Sequence, residues 1–244
     1  MLTFEDAGGP GAIVPGTRNL GQAASGVTVT TSAGGRVLAA AGPEGMAVRF
    51  PAATGVEEGA TPAAAIVVTP QGRTDELEPG TNDFSFGADV ALDKTSEGPA
   101  DNGDNLMQRG LFLDNAQYKL QLDHRRPSCR IAAGGRSAFV TADVEVVPES
   151  WYRLRCVREG AELRLLMSMW TGDSWGLDAQ WSVRSRVRSI TFEPPAGSTL
   201  APLSVGAKVD SNARIPLAAG DPFNGMVDNV FVDVAGTVGI GGAP

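Results

Sequence analysis

Three of the chain's four tryptophans, Trp170, Trp175 and Trp181, fall within one short segment. Asp173, Asp178, Gln180, Arg184 and Arg186 lie between or just after them. Sugars offer C–H faces that lie on aromatic rings and hydroxyls that planar polar groups hold, so this composition suits a saccharide. The competing reading is that one or two of these rings pack into the core. Arg184, Arg186 and Arg188 recur at every second position. On a strand they form a basic stripe, suited to an anionic glycan or to guarding an edge strand with charge.

Catalytic signals are sparse. His124 is the single histidine and is followed by Arg125 and Arg126. A lyase uses such groups to neutralise a uronate and move a proton, but this trio follows a strand-like run and reads as a solvated turn. Asp143 and Glu145 alternate. A retaining glycosidase needs two carboxylates roughly 5 Å apart. No third acid follows them at Val147 or Pro148. No Ser–His–Asp or Cys–His string supports nucleophilic catalysis, and no catalytic residue is assigned. One histidine and two cysteines cannot complete a four-ligand zinc site. The acidic loop residues Asp101, Asp104 and Asn105 carry oxygen donors of the kind calcium takes. Cys129 and Cys156 both sit in strand-like segments; they are either two buried thiols or a bridge, and a bridge implies an oxidising compartment.

The elements that must position these groups read as strands. Phe84, Phe86, Ala88, Val90 and Leu92 are apolar at every second position, with Asp83, Ser85, Gly87 and Asp89 between them. That period of two gives a strand with one buried and one wet face. Tyr118, Leu120 and Leu122 share one face of the next clear strand; Lys119, Gln121 and Asp123 share the other. Trp151–Val157 and Glu162–Met169 flank Arg158-Glu159-Gly160-Ala161, a strong hairpin signal. Further strands are expected at Leu2–Phe4, Val27–Thr31, Arg36–Ala39, Met46–Phe50, Ala65–Val68, Leu106–Leu113, Ser128–Ile131, Ala138–Val146, Ser189–Phe192, Leu203–Ala207 and Met226–Val234. No helical period lasts more than two turns. Many short strands with glycine- and proline-rich turns point to a β-sandwich or barrel.

The chain's 244 residues suffice for one large core. Its net charge of −8 argues against nucleic acid or an anionic membrane surface as partner. No apolar stretch approaches the roughly 20 residues of a membrane span. No leader pattern precedes Leu2, so the chain reads either as cytosolic or as one whose leader has been removed. Only Lys94, Lys119 and Lys208 are lysines among 20 basic residues.

Several motifs, in order, resemble the bacterial laminin-G-like domains of the concanavalin-A-like lectin/glucanase superfamily. Asp83-Phe84-Ser85-Phe86-Gly87-Ala88 resembles their opening strand, and Asp104–Gly110 their hairpin motif, with Arg109 where a lysine is common. Tyr118–Leu122, Trp151–Cys156 and Phe223–Val230 are similar to the motifs that follow. The resemblance spans about residues 80–235. It implies an all-β fold, a two-sheet antiparallel β-sandwich of jelly-roll type. Residues 1–235 then form one domain and 236–244 a flexible Gly-rich tail. As in secreted actinobacterial members, it implies a Cys129–Cys156 disulfide. It also implies a structural calcium ion joining the first strand to the last, with Glu5, Asp6 and Asp228 as ligands.

By the same resemblance the function is that of a non-catalytic, secreted module binding a carbohydrate or a surface partner. Its ligand would be a glycan or cell-surface polysaccharide, or a protein. Trp170, Trp175, Trp181, Arg184, Arg186 and His124 are the candidate ligand-binding residues. The alternatives are a divergent polysaccharide hydrolase or lyase on the same fold, and a structural virion-decoration or adhesin domain. The segment Trp170–Arg188 departs from the family pattern, which has a short Asp-Gly turn there.

Overall fold

A computed structural model of the chain describes residues 1–16, 20, 25–53, 61–71, 75–94, 104–193, 202–216 and 220–234. Among them the regular elements are all strands: β1 Ser25–Ser32, β2 Leu38–Ala41, β3 Met46–Arg49, β4 Ala63–Pro70, β5 Phe84–Leu92, β6 Asp104–Arg109, β7 Ala116–Asp123, β8 Arg126–Ala133, β9 Arg136–Thr141, β10 Trp151–Glu159, β11 Glu162–Trp170, β12 Trp175–Arg184, β13 Leu203–Val205 and β14 Gly225–Asp233. They form two seven-stranded sheets, with orders β1-β4-β13-β6-β7-β8-β9 and β12-β11-β10-β5-β14-β3-β2. All these strand pairings are antiparallel. This is the jelly-roll β-sandwich that the alternating residues and the resemblance predict. The expected tail 236–244 and Asp101 lie outside the described residues.

The period of two decides which side chains fill the sandwich. In β10, Tyr152, Leu154 and Cys156 are buried while Arg153 and Arg155 are only half-buried; β11 repeats this with Leu163, Leu165 and Met167. Phe84, Phe86 and Tyr118 meet at centroid distances of 5.0–5.7 Å, and Phe192 closes on Tyr118 edge-on at 5.8 Å. Each such ring contributes about 1.5–3 kcal/mol by leaving water. Cys129 of β8 and Cys156 of β10 are bonded, with Cα atoms 5.8 Å apart, so the disulfide ties one sheet to the other. Arg109, where the resembling domains carry lysine, is fully buried. Its two Nη atoms donate to the two carboxylate oxygens of Asp75, and its guanidinium stacks 4.3 Å from the Phe192 ring. A lysine offers no such fork.

Several expectations need correction. Within the segment Trp170–Arg188, which departs from the family's short turn, Trp175–Arg184 is a further strand, β12, paired along β11. Ala179, Trp181 and Val183 take its inward positions and Gln180, Ser182 and Arg184 its outward ones; a bulge between Met167 and Met169 interrupts the register. Trp151 is half-buried on the outward parity, and its neighbour Tyr152 goes inside. Leu2–Phe4 and Ser189–Phe192 contribute only the single bridges Leu2–Val230 and Gly80–Ile190. Leu113 lies beyond the end of β6 at a turn and is 92% exposed.

Candidate functional site

The hairpin between β11 and β12 turns through Thr171–Ser174, closed by the Thr171 amide donating to the Ser174 carbonyl at 2.9 Å. The turn places Trp170 and Trp175 directly opposite each other, centroids 5.2 Å apart and planes at 62°. Both residues are half-buried. The Trp175 indole N–H donates to Glu44 Oε2 at 3.0 Å, and the Arg153 guanidinium lies 4.1 Å from its ring centroid. Arg153 grips Asp89 with two bonds of 2.8 and 2.7 Å and reaches Glu44 at 3.1 Å. Asn229 Nδ2 adds a third donor to Asp89 at 2.9 Å. The result is an aromatic ledge on the outer face of the second sheet, braced by a charge network across β10, β5 and the β2–β3 turn.

The other sequence-predicted residues do not join this ledge. Trp181 pairs with inward-facing Leu165, packs against the core and donates its N–H to Asp143 at 2.7 Å. Arg184 ends the ten-residue strand that Trp175 begins. At the rise of an extended chain it lies roughly 30 Å from that tryptophan. Arg186 and Arg188 are exposed beyond it, with Ser185 and Val187 buried between, so the basic alternation exists but at the far end. His124 belongs to the first sheet, in the two-residue turn from β7 to β8. His124 and Arg125 have φ of 49° and 62°. Two successive positive values mark a type I′ hairpin turn. Asp143 and Glu145 lie beyond β9, so strand alternation does not put them on one face. Glu145 faces Arg125 and Arg126 at 3.8 and 3.7 Å.

For the metal expectation, Glu5 accepts from the Met46 amide at 3.2 Å, and Asp228 Oδ1 accepts from the Asn229 amide at 2.7 Å. Asp6 is exposed in the turn after the first bridge. Asp228 is buried, which pushes its carboxyl up to about 7; the Asn229 amide opposes this, and the neighbouring acids Asp89, Glu5 and Glu44 add to it. Among the described residues no group of three or more His, Cys, Asp or Glu is arranged to hold a metal ion. In the second expected metal loop, Asp104 and Asn105 lie on β6, both buried.

Sequence reasoning missed the outer face of the first sheet. Register aligns Ser204 of β13, Gln108 of β6, Lys119 of β7, Arg130 of β8 and Phe139 of β9 in one row across five strands. A second row runs Asn105, Gln121, Ser128 and Thr141. Asn105, Ser128 and Ser204 are at most 1% exposed and Gln108 3%. The signal is present, since Lys119 and Gln121 read as the wet face of their strand; that this face is covered is not legible in alternation. Residues 206–216 account for part of the cover, where Ala207, Val209, Ala213 and Ile215 pack on Ala65 and Val67 of β4.

No family model matches the chain, and no curated protein matches it. Solved structures do. The binding domain of Paraclostridial Mosquitocidal Protein 1 aligns with a TM-score of 0.57 at 13% identity, over 92% of this chain and 47% of that one. The enzymatically active domain of bacteriophage CBA120 tailspike protein 2 gives 0.53 at 12%, over 88% and 29%. The LG1-3 region of the laminin alpha2 chain gives 0.50 at 14%, over 70% and 30%. The likeness is one of fold: the laminin-G-like jelly roll. The chain spans less than half the length of each of these three structures.

Proposed function

We propose that this chain is an extracellular binding module that holds a glycan or a glycan-bearing surface through the Trp170–Trp175 ledge and performs no chemistry on it. The observation that carries the reading is the braced, half-exposed tryptophan pair, flanked by the Arg153 and Glu44 side chains. One ring takes the C–H face of a sugar, and the charged groups take hydroxyls along its edge. Fixing the indole by Glu44 and Arg153 lowers the entropy lost when a ligand lands. The covalent tie between the sheets supports an oxidising location, and among the described residues no helix is long and apolar enough to cross a membrane. The residues weighed for acid–base chemistry are otherwise engaged. Asp143 is bonded to Trp181, Glu145 faces two arginines, and His124 projects from an exposed turn against Asp123.

The test is binding of the intact chain to a panel of neutral polysaccharides, with Trp175→Ala alongside and circular dichroism as a fold control. Binding to at least one polymer, lost about tenfold or more in the folded variant, is expected. Failure of the native chain to bind any of them, or equal binding by the variant, overturns the reading.

A further inference from the structure

β12 is the longest of the described strands, ten residues from Trp175 to Arg184, and it lies at the rim of its sheet. A strand rim presents a row of unpaired amides and carbonyls, which native proteins usually shorten, cover or blunt. The other rim of the same sheet is covered: the Ala39 amide donates to the Ala12 carbonyl at 2.8 Å, and its carbonyl accepts from the Gly11 amide at 2.7 Å. β12 has no such cover among the described residues. The Ser185 amide donates to the Ala161 carbonyl at 2.7 Å. Bonding positions alternate along an antiparallel pair, so Val183 and Trp181 also turn their backbone groups toward β11. Gln180, Ser182 and Arg184 turn theirs to the open side, where no partner meets them among the described residues. From Ala179 to Arg184 the strand has no proline, glycine, lysine or bulge to blunt it.

The side chains at this rim are also incompletely covered. The inward-facing Ala179, Trp181 and Val183 are all half-buried, whereas their β11 neighbours Leu163, Leu165 and Met167 are buried. The apolar inner row therefore runs out to the rim and stays open along it. β9 of the other sheet lies over β11 and β12 alike, so it does not project past the rim and bar an approach. On the outward side, Asp178 and Arg184 are exposed, one on each side of Trp181 and equally far from it along the chain. Asp178 accepts from the Ser168 hydroxyl, and neither charge is in an ion pair among the described residues.

We infer that two copies of this chain join rim to rim through β12, antiparallel and centred on Trp181. Residues that bond toward the open side must face one another, so the two-fold axis passes through a residue and not between two. Centred on Trp181, Gln180 faces Ser182 of the second copy and Asp178 faces its Arg184, once on each side of the axis. Opposite charges at facing positions attract. Centred on Gln180, Asp178 faces Ser182 and Arg184 faces Gly176, which leaves both charges unmatched. Centred on Ser182, Asp178 needs Arg186, past the end of the strand. The Trp181 register also sets Ala179 against Val183 and brings the two Trp181 rings together beside the axis, so the open apolar rows cover each other. The axis stands perpendicular to the joined sheet. Both Trp170–Trp175 ledges then face the same way, beyond the paired stretch, and one polymer can lie over both. Neither reading depends on the other.

The experiment is sedimentation velocity of the intact chain over a concentration series, with circular dichroism as a fold control. The native chain should dimerise reversibly. Asp178→Arg and Arg184→Asp should each weaken the dimer about tenfold or more, because each reversal acts on both sides of the axis and sets like charges face to face. The double variant, Asp178→Arg with Arg184→Asp, restores opposite charges and should return to within about threefold of the native dimer. Both positions are exposed, so all three variants are expected to fold. Gln180→Pro removes an outward amide without breaking a bond to β11 and should be monomeric. A native chain that stays monomeric at every concentration, a Gln180→Pro variant that still dimerises, or a double variant no better than the single reversals each overturns the proposal. The ledge reading is judged separately, on neutral polymers and Trp175→Ala, so either can fail alone.

Discussion

Replacing Lys119 by methionine should make the protein more stable at neutral pH. The ammonium sits 9% exposed on β7 with no carboxylate paired to it among the described residues, and burial, opposed by the more distant Asp221 and Asp123, lowers its pKa from 10.5 to about 8. The unfolded chain keeps that proton up to its ordinary value. Between about pH 8 and 10.5 the unfolded state therefore binds more protons than the native one, and stability rises with pH across that window. Below pH 8 both states are protonated and the whole penalty is present. A shift of this size corresponds to about 3 kcal/mol. Methionine keeps the buried stem and removes the charge. At pH 7 the variant should gain that amount, or about 6–12 °C in Tm for a chain of this length. Above pH 8 the gain should shrink steadily toward zero near pH 10.5. Other groups titrating in the same range act on both proteins and cancel in the difference. Urea denaturation of both proteins at half-unit steps from pH 6.5 to 10 measures it. A variant no more stable than the native chain at pH 7, or a difference that stays level up to pH 10, refutes the reasoning.

Two further outcomes follow from the packing. Reduction of Cys129–Cys156 opens a crosslink between residues 27 apart in sequence. It should lower unfolding free energy by roughly 3.5 kcal/mol in the chain-entropy model, read as a drop in denaturation midpoint with and without reductant. An unchanged midpoint, with mass spectrometry confirming both thiols free, would count against the inter-sheet tie. Gly206→Ala should destabilise the fold by roughly 2 kcal/mol, because it combines left-handed backbone strain with overpacking of the core. The φ of Gly206 is 92°, and a Cβ there would run into the Phe50 ring, which is buried in the core. Melting within about 1 °C of the native protein would contradict that steric reading.

The strands whose two faces differ in polarity are legible in the sequence. Phe84–Leu92 and Trp151–Met169 alternate cleanly, and which of their side chains point inward follows from that alternation alone. β12 is harder, although Ala179, Trp181 and Val183 do alternate with Gln180, Ser182 and Arg184. The cluster of tryptophans points to ligand chemistry, while one of the three, Trp181, serves the core. Proximity in sequence also misleads in a geometric way: Trp175 and Arg184 look adjacent but occupy opposite ends of one extended strand. The polar field around Lys119 is hidden for a different reason. Alternation tells which face a residue takes, and it cannot tell that a distant segment, such as residues 206–216, folds down over part of that face. Buried but unpaired atoms become visible only when every neighbour in space is known.

The sheets pack with their inner faces together, so Trp175 and Lys119 look out from opposite sides of the sandwich. A polymer seated on the ledge would leave the other broad face turned away from it, so each copy would coat one strand and not join two. Viscosity of a polymer solution, measured as the protein is added, would then lack the steep rise that a crosslinker brings.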